Sequence, residues 1–466
     1  MKRSSEIIMA DKHEMMRSGN IKKALAWLAA PAAIGLVIQM FYGLVDSIFV
    51  GRGLGEEGVL GLAALAIAFP LSHLLLSAAA GVGVGGSSYI SRGFGALDSD
   101  RVKNGVGNML IMALVVGLIC TVIGLVFLDP FLMLFGADSL TLPFARDYMF
   151  WIILGCIFQI LTVTITAIVM AEGNSMYIMV MYAASSIMNI VLDYVFIFEF
   201  GWGIQGAAVA TVLSQGLNVL ILIFYLYKVS KLNFNLKWLK FSKNAFIDIG
   251  KIGFSEFLRE GALVIMFIIV VFNLNFYGDE TSVAIFGLIN RIFGFAIIPA
   301  MGIVHGMIPL IGYNYGAGNL DRVRKILKLS VIWAVSITFF LGALTYVFTE
   351  QLFELFMPGS PLVEEAILAY WIANLSIPII AFQIIGSAFM QALGKARASL
   401  ILALMRQFAI IPVLAILPYF LKLMGVWVSF PVADTITMVI TLAFVLHHLK
   451  LLKKDEMKSK TDPVTV

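Results

Sequence analysis

The sequence predicts an all-α polytopic membrane protein, with twelve transmembrane helices arranged as two pseudo-symmetric lobes of six. Three observations lead to this fold class. Of the 466 residues, 61% are hydrophobic and only 13% are charged, which is about half the charged fraction of an ordinary globular chain. The apolar residues form runs of the length that a membrane-spanning helix needs. The two halves of the chain also share a pattern of residues at a constant spacing.

The apolar runs define the spans. A hydrocarbon core about 30 Å thick requires about 20 apolar residues per helix. Charged or turn-rich segments separate twelve such runs along the chain. They cover residues 25–50, 59–90, 106–128, 148–171, 177–198, 204–227, 252–276, 282–312, 327–348, 366–392, 399–421 and 426–448.

The basic residues orient these spans. With the N-terminus in the cytoplasm, the cytoplasmic segments hold 26 of the 32 lysines and arginines, and the outer segments hold three. The positive-inside rule therefore places both termini in the cytoplasm and favours an even number of spans. The predicted domains are a cytoplasmic N-terminal tail (1–24), an N-terminal lobe (25–227), a basic cytoplasmic linker (228–251), a C-terminal lobe (252–448) and a cytoplasmic C-terminal tail (449–466).

A constant offset in residue number relates the two lobes. Gly81 and Gly85 map onto Gly302 and Gly306, and an Asp-Arg-Val run follows each pair at the same spacing. Each Gly-x-x-x-Gly pair indicates close helix packing. Because each lobe has an even number of spans, both lobes enter the membrane from the same side and the repeat is parallel. Paired lobes of this kind are typical of transporters that work by alternating access.

Several other functions are disfavoured by the sequence. The net charge of +4 argues against a nucleic-acid partner. Cys120 and Cys156 lie in apolar runs and indicate neither a disulfide framework nor a metal site. His73 and His305 are isolated, which is more typical of core or cavity-lining residues than of metal ligands. No Walker loop and no catalytic constellation is present, so we expect neither an ATP-driven pump nor an enzyme.

Ionisable side chains within the spans indicate the candidate functional site, because each costs at least ~2.5 kcal/mol at membrane depth. Glu256, Arg259 and Glu260 have the helical spacing of ion pairs, so a structural role is favoured for them. Asp46 and Asp193 have no evident basic partner. Both are expected about 7–12 Å below the outer boundary, since a helix rises 1.5 Å per residue. These two acids are therefore the leading candidates.

Neutral polar residues are expected beside the two acids. Asn189 lies one turn before Asp193, and Thr211 lies at the same depth on the next span. The oxygens of Asp46, Asn189, Asp193 and Thr211 suit Na⁺, or two acids that share one proton. The expected substrate cavity includes Gln39, Tyr42, Tyr182, Arg291 and Asp434. For Arg291 and Asp434, which lie in the second lobe, packing is an equal alternative.

A family resemblance runs over nearly the whole chain, and a few motifs carry it. They are the segment GLVDSIFVG at 43–51, NIVLD at 189–193, GAAVAT at 206–211 and the duplicated Gly-Ala loops at 95–96 and 316–317. On these motifs the chain resembles the multidrug and toxic compound extrusion (MATE) transporters. It is most similar to the prokaryotic branch that contains the DinF-like and related multidrug exporters. In that branch the N-terminal lobe carries the cation site, at positions that match Asp46, Asn189, Asp193 and Thr211.

The resemblance implies a secondary antiporter in a prokaryotic plasma (inner) membrane. Such a protein exports amphipathic, often cationic compounds in exchange for H⁺ or Na⁺ and needs no cofactor. It is expected to act as a monomer, with small substrates and the lipid bilayer as its partners. The nearest alternative is a flippase for lipid-linked oligosaccharides, but such proteins tend to have more spans and a cationic cavity. In this chain the acids within spans outnumber the bases by five to three.

Overall fold

Long helices make up the structure. The computed structural model describes residues 14–230, 232, 234–278, 280–356 and 363–461, and no β-strand occurs within these ranges. The first half contains α1 (Ile21–Gly53), α2 (Gly58–Gly95), α3 (Ser99–Val126), α4 (Leu128–Leu134), α5 (Leu142–Leu154), α6 (Cys156–Ala171), α7 (Ser175–Tyr194) and α8 (Gly203–Phe224). The second half contains α9 (Lys243–Tyr277), α10 (Glu280–Gly316), α11 (Leu320–Val347), α12 (Thr349–Phe356), α13 (Val363–Asn374), α14 (Ile377–Ala392) and α15 (Ala396–Thr461).

The number of membrane-spanning helices agrees with the prediction of twelve. By length and composition, ten helices of the described ranges are suited to cross a membrane. The number becomes eleven when α5 and α6, which meet at an angle of 49°, count as one span. Helix α15 contains a break at Lys422, where φ is 52° and ψ is −136°. Counting the two parts of α15 separately gives the predicted twelve spans.

The offset that relates Gly81 to Gly302 also relates the helix boundaries. Helix α11 begins and ends at this offset from α3, and α14 begins and ends at the same offset from α6. The fourth span of the first half is interrupted at Gly155, and the fourth span of the second half is interrupted before α14 at the equivalent Ser376. The secondary structure therefore repeats between the two halves of the chain at the same offset as the sequence motifs.

The helices form two compact units whose boundaries lie inside α1 and α9. One unit is Ile34–Gly261, and the other contains the described residues of Met1–Ala33 and Ala262–Val466. The first long helix of each half is therefore shared between the two units. Three equivalent helices pack against one another at the centre of each unit: α2, α3 and α6 in one, and α10, α11 and α14 in the other.

The glycine pairs found in the sequence account for the boundaries inside α1 and α9. Gly81 and Gly85 of α2 contact the first part of α9, and Gly302 and Gly306 of α10 contact the first part of α1. A methyl group at any of these four positions would lie only 2.3 to 2.9 Å from the nearest neighbouring atom. Glycine allows this close approach because it has no side chain. Each first helix is consequently held, at its beginning, by the second helix of the other half.

Candidate functional site

Two carboxylates of the unit Ile34–Gly261 are buried without charge compensation. Asp46 on α1 is 8% exposed, and Asp193 near the end of α7 is 0% exposed. Oδ1 of Asp46 and both carboxylate oxygens of Asp193 lack a hydrogen-bond partner among the described residues. The two carboxylates are close enough to interact electrostatically, and no basic side chain of the described ranges offsets them. A positive charge bound near the two carboxylates would therefore stabilise them.

An amide and a hydroxyl group lie beside Asp193. Nδ2 of Asn189 donates a hydrogen bond of 3.4 Å to Oγ1 of Thr211, which joins α7 to α8. Asn189 is one helical turn before Asp193, so both side chains project from the same face of α7. The carbonyl oxygen of the Asn189 side chain has no hydrogen-bond partner among the described residues. These polar groups supply further oxygen atoms next to the acids.

The turn between α7 and α8 sets this arrangement. Helix α7 continues as a π-helical segment, Val195–Glu199, before the chain reverses. Gly203 begins α8 with φ of 54°, a conformation that favours glycine. A methyl group on Gly206 would lie 3.0 Å from the backbone of Phe196, so this glycine allows the two helices to approach closely. The short connection brings the first turns of α8, including Thr211, beside the last turns of α7.

Two tyrosines also lie near Asp46 and Asp193. Tyr42, one turn before Asp46 on α1, lies within electrostatic range of both carboxylates. Tyr148 of α5 also lies within range of both carboxylates and of Tyr42. Sequence reasoning missed Tyr148, because the predicted fourth span begins at residue 148 and so places this tyrosine at the membrane boundary. Helix α5 begins six residues earlier, at Leu142, so Tyr148 lies about 9 Å along the helix, at the depth expected for the acids.

A polar cavity of about 70 Å³ adjoins the acids. Gln39, Tyr42 and Tyr182, which the sequence assigned to a substrate cavity, all line it, together with Asn189 and Thr211. The remaining lining is mainly hydroxyl and amide side chains, and no lining residue is charged. This volume holds several water molecules, but it is below the roughly 300 Å³ of a small-molecule pocket.

Asp434, the one acid assigned to the substrate cavity, lies in the other unit, and its charge is compensated. Arg406 donates to its carboxylate through Nε at 2.7 Å and through Nη2 at 3.4 Å. Nε2 of Gln383 donates to the backbone carbonyl of Asp434 at 2.7 Å. The contacts of Asp434 are therefore those of a buried carboxylate paired with an arginine. The side chain of Arg291 lies outside the described residues.

The charged residues of α9 form ion pairs, as their spacing predicted. Arg259 contacts the carboxylate of Glu256 at 2.6 Å and also contacts Glu260. The interpretation of His73 as isolated is wrong, because its Nε2 atom lies 3.0 Å from Oε2 of Glu260. The two residues are 187 positions apart, so no local pattern in the sequence connects them.

The oxygen atoms near Asp46 and Asp193 suit a small cation. Carboxylate, amide and hydroxyl oxygens are the ligands of hard cations, and two neighbouring carboxylates can also hold one proton between them. No group of three or more His, Cys, Asp or Glu side chains in the described ranges is arranged to hold a metal ion. Carboxylate, amide and hydroxyl oxygens in this arrangement are chemically able to bind H⁺ or a small hard cation reversibly.

Comparison with known proteins agrees with this architecture. The family model described as MatE matches residues 31–195 and 260–416, which is more than half of the chain. The chain belongs to the MATE family. The resemblance seen in the sequence motifs is thereby confirmed, and the protein is a multi-pass member of a family of membrane transporters.

Relatives of this MATE protein cover nearly its whole length. The multidrug export protein MepA of Staphylococcus aureus (strain NCTC 8325 / PS 47) is 30% identical to it over 419 residues, which is 89% of this chain and 91% of the relative. MepA of Staphylococcus saprophyticus is 27% identical over 420 residues, with 90% and 92% of the two chains covered.

Solved structures of MATE proteins share the fold. A MATE crystal structure in the bent conformation is 27% identical, gives a TM-score of 0.89, and is matched over 95% of this chain and 98% of the other. An outward-facing multidrug resistance MATE transporter of the MOP superfamily gives the same identity, TM-score and coverage.

Proposed function

We propose that this MATE protein is a secondary antiporter that exports amphipathic, often cationic compounds in exchange for H⁺ or Na⁺. The coupling cation binds at Asp46, Asn189, Asp193 and Thr211. The observation that carries the proposal is the pair of buried carboxylates without a basic partner. The relatives named multidrug export proteins support the substrate class.

Cation binding relieves the cost of the two buried charges. Each ionised side chain at membrane depth costs at least ~2.5 kcal/mol, so a bound cation stabilises the site strongly. One elementary charge that crosses 100 mV releases ~2.3 kcal/mol. That free energy shifts an equilibrium between two conformations about 40-fold, since each 1.4 kcal/mol corresponds to a factor of ten. The ion gradient is therefore a sufficient driving force for alternating access.

Helix α1 provides the link between cation binding and conformational change. It carries Asp46, and the boundary between the two compact units falls between Ala33 and Ile34 of the same helix. Pro31 and Gly35 flank this boundary, and proline inside a helix is a frequent cause of bending. A cation that binds or leaves Asp46 changes the charge on α1 and thereby biases its bend.

The cavity beside the acids serves the cation in this proposal. At about 70 Å³ it accommodates water and a small ion, whereas a drug-sized substrate requires roughly 300 Å³ or more. Gln39, Tyr42 and Tyr182 contact substrate when the cavity widens during the cycle. Asp434 keeps a packing role, because Arg406 already neutralises it.

The distribution of basic residues supports the membrane orientation. With 26 of the 32 lysines and arginines in segments of one side, both termini lie in the cytoplasm of a prokaryotic cell, and the protein spans the plasma (inner) membrane. The two covalently joined lobes support function as a monomer. Transport requires the coupling ion and no cofactor.

Efflux of a cationic dye from proteoliposomes tests the proposal. A Na⁺ gradient and a pH gradient are imposed separately on the reconstituted protein. We expect one of them to drive transport, and we expect Asp46→Asn and Asp193→Asn to abolish it. Asp129→Asn is the matched control, since Asp129 is an acid that pairs with the exposed Arg146. Transport by Asp46→Asn at the rate of the parent protein would contradict the proposal.

A further inference from the structure

Three polar residues of α8 form a row along the cavity beside Asp193. Thr211, Ser214 and Asn218 are spaced by three and four residues, so they share one face of α8, and all three line the cavity. Asn218 lies seven residues after Thr211, which is about 10 Å along the helix. We call these three residues the α8 row.

Helix α8 carries the row from the proposed cation site toward the cytoplasm. Thr211 accepts the hydrogen bond of Asn189 beside Asp193, in the part of α8 that follows the turn after α7. The other end of α8 leads into the basic linker 228–251, which is cytoplasmic in the proposed orientation. Asn218 therefore lies on the cytoplasmic side of Asp193. The α8 row is in position to guide a cation that leaves Asp193 for the cytoplasm.

Two residues of the α8 row carry buried oxygen atoms without a hydrogen-bond partner among the described residues. These atoms are Oγ of Ser214 and Oδ1 of Asn218, and the two residues are only 3% and 5% exposed. A buried polar atom without a partner is unfavourable, whereas a polar cavity of about 70 Å³ has room for several water molecules. The two oxygens are therefore available to water or to a ligand in the cavity.

The α8 row repeats part of the proposed cation site. At Asp193 the neutral groups are the amide oxygen of Asn189 and the hydroxyl oxygen of Thr211. Asn218 and Ser214 offer the same pair of groups without a carboxylate. Such oxygens accept hydrogen bonds and bind hard cations, and a site without carboxylates holds a cation less tightly. The row is thus suited to a hydrated cation in transit.

Contacts between helices do not account for these side-chain oxygens. Oγ of Ser185 on α7 donates to the backbone carbonyl of Ser214 at 3.5 Å. Oγ1 of Thr162 on α6 donates to the backbone carbonyl of Gln215 at 3.5 Å. Both neighbouring helices therefore bond to the backbone of α8 in this region. The buried side-chain oxygens of Ser214 and Asn218 take no part in these bonds, so the packing of α8 leaves them to the cavity.

Leu222 ends the polar face of α8. It lies four residues after Asn218 on the same face, is 0% exposed, and follows the last α8 residue that lines the cavity. One turn further, the buried hydroxyl of Tyr225 donates to Oε2 of Glu172 at 2.6 Å. An apolar side chain therefore separates the cavity from the cytoplasmic end of α8 in this structure. Hydrophobic constrictions are one means by which proteins close a pathway for ions.

We propose that Ser214 and Asn218 form a second, weaker binding position for the coupling cation, through which it passes from Asp193 to the cytoplasm. The cation crosses this position with some of its water, and Leu222 closes the route in the conformation of this structure. The proposal rests on the proposed antiport, because it assigns the path of the cation that Asp46 and Asp193 bind.

Reaction of single cysteines with charged thiol reagents tests this route without a transport assay. Ser214→Cys and Asn218→Cys are prepared separately, and inside-out membrane vesicles expose the cytoplasmic side to a membrane-impermeant methanethiosulfonate. One reagent carries trimethylammonium and the other carries sulfonate, and each rate is divided by that of the same reagent with a free thiol in solution. We expect both cysteines to react, and the cationic reagent to react at least about tenfold faster than the anionic one.

Leu213→Cys is the matched control for both variants. Leu213 directly precedes Ser214 on α8, is 46% exposed, and is not among the residues that line the cavity. A thiol that faces lipid stays protonated, so this cysteine should not react. Ser99→Cys, at the exposed start of α3, should react with both reagents and shows that the cytoplasmic side is presented. The parent protein, which contains Cys120 and Cys156, supplies the background.

Replacement of the apolar residue that closes the route gives a second measurement. Leu222→Ser is combined with Asn218→Cys, and the smaller polar side chain should admit water from the cytoplasmic side. We expect the cationic reagent to react with this cysteine about tenfold faster than in Asn218→Cys alone. An unchanged rate would show that Leu222 does not close the route.

The proposal is overturned by an absence of reaction from the cytoplasmic side, by reaction from the outer side alone, or by equal corrected rates for the two reagents. Ser214→Cys nearly preserves the size and shape of the parent side chain, so a folding defect in Asn218→Cys leaves the test intact. If Asp46→Asn abolishes transport and one of these results is also obtained, the antiport is supported and the route is wrong. Failure of the route is therefore distinguishable from failure of the proposed antiport.

Discussion

Asn189 donates its side-chain amide to the hydroxyl oxygen of Thr211, and this hydrogen bond joins α7 to α8 beside Asp193. The bond uses one of the two amide hydrogens of Asn189 and leaves its carbonyl oxygen without a partner among the described residues. This carbonyl oxygen and the two carboxylate oxygens of Asp193 are buried hydrogen-bond acceptors without a partner among the described residues. A cluster of acceptors binds a cation or a proton and repels an anion. The orientation of one amide thus supports the sign of the charge that we propose for the coupling ion.

Replacement by asparagine should change the melting temperature differently for Asp193 and for Asp434, the two buried aspartates that lie in different units. Asp193→Asn removes an uncompensated charge, so the melting temperature of the protein should not fall although coupled transport is lost. Asp434→Asn leaves the partly buried Arg406 without its carboxylate, which costs about 3 kcal/mol and should lower the melting temperature. Thermal unfolding in detergent measures both variants. An equal loss of stability in the two would show that Asp193 also has a structural partner.

Thr211→Val should weaken cation binding without disturbing the fold. Valine keeps the shape of threonine but removes the oxygen that accepts the hydrogen bond from Asn189. Loss of one such interaction costs about 1.4 kcal/mol, which corresponds to a tenfold increase in the cation concentration at half-maximal transport. Thr211→Ser keeps the hydroxyl group and should remain within about twofold of the parent. If Thr211→Val reached half-maximal transport at the same cation concentration as the parent, Thr211 would be excluded from the cation site.

Much of the fold follows from local and repeated patterns in the sequence. The spans depend on runs of apolar residues, and the constant offset found from the glycines also fits the boundaries of α11 and α14. The division of α1 and α9 between two units was not predicted. The glycine pairs indicated close packing, but a small residue does not specify which helix approaches it. That choice depends on the three-dimensional arrangement of the helices.

The site shows the same limit of sequence reasoning. The sequence grouped Asp46, Asp193 and Thr211 at one depth in the membrane. This was possible because the rise per residue of a helix converts a residue number into a distance along the span. His73 and Glu260 are 187 residues apart and were treated separately, because nothing in either segment refers to the other. Tyr148 was missed for a different reason, because the predicted span begins at this residue, whereas α5 begins six residues earlier. Contacts between residues that are far apart in the sequence are identified only from the packing of the helices in three dimensions.

Tyr148→Phe should alter cation coupling while leaving the fold intact. The phenol lies within electrostatic range of Asp46 and Asp193, whereas phenylalanine keeps the ring and removes the polar group. We expect the cation concentration at half-maximal transport to rise about tenfold, a change on the scale of one hydrogen bond. Tyr346→Phe, in a ring that stacks on Trp371 in the other unit, is the control and should not change it. Dye efflux measured over a series of cation concentrations would detect the difference, and identical curves for both variants would exclude Tyr148 from coupling.

Gly85→Ala should destabilise the protein, whereas Gly216→Ala should not. A methyl group on Gly85 would lie 2.3 Å from the carbonyl oxygen of Ile249, so α2 and α9 would have to separate. Overpacking of this kind typically costs about 1–3 kcal/mol. Gly216 on α8 has open space at the corresponding position, and alanine is favoured over glycine inside a helix by about 1 kcal/mol. Thermal unfolding of the two variants in detergent should therefore shift in opposite directions. Parent-like stability of Gly85→Ala would mean that the contact between α2 and α9 is looser than the one described, because only a looser contact leaves room for the methyl group.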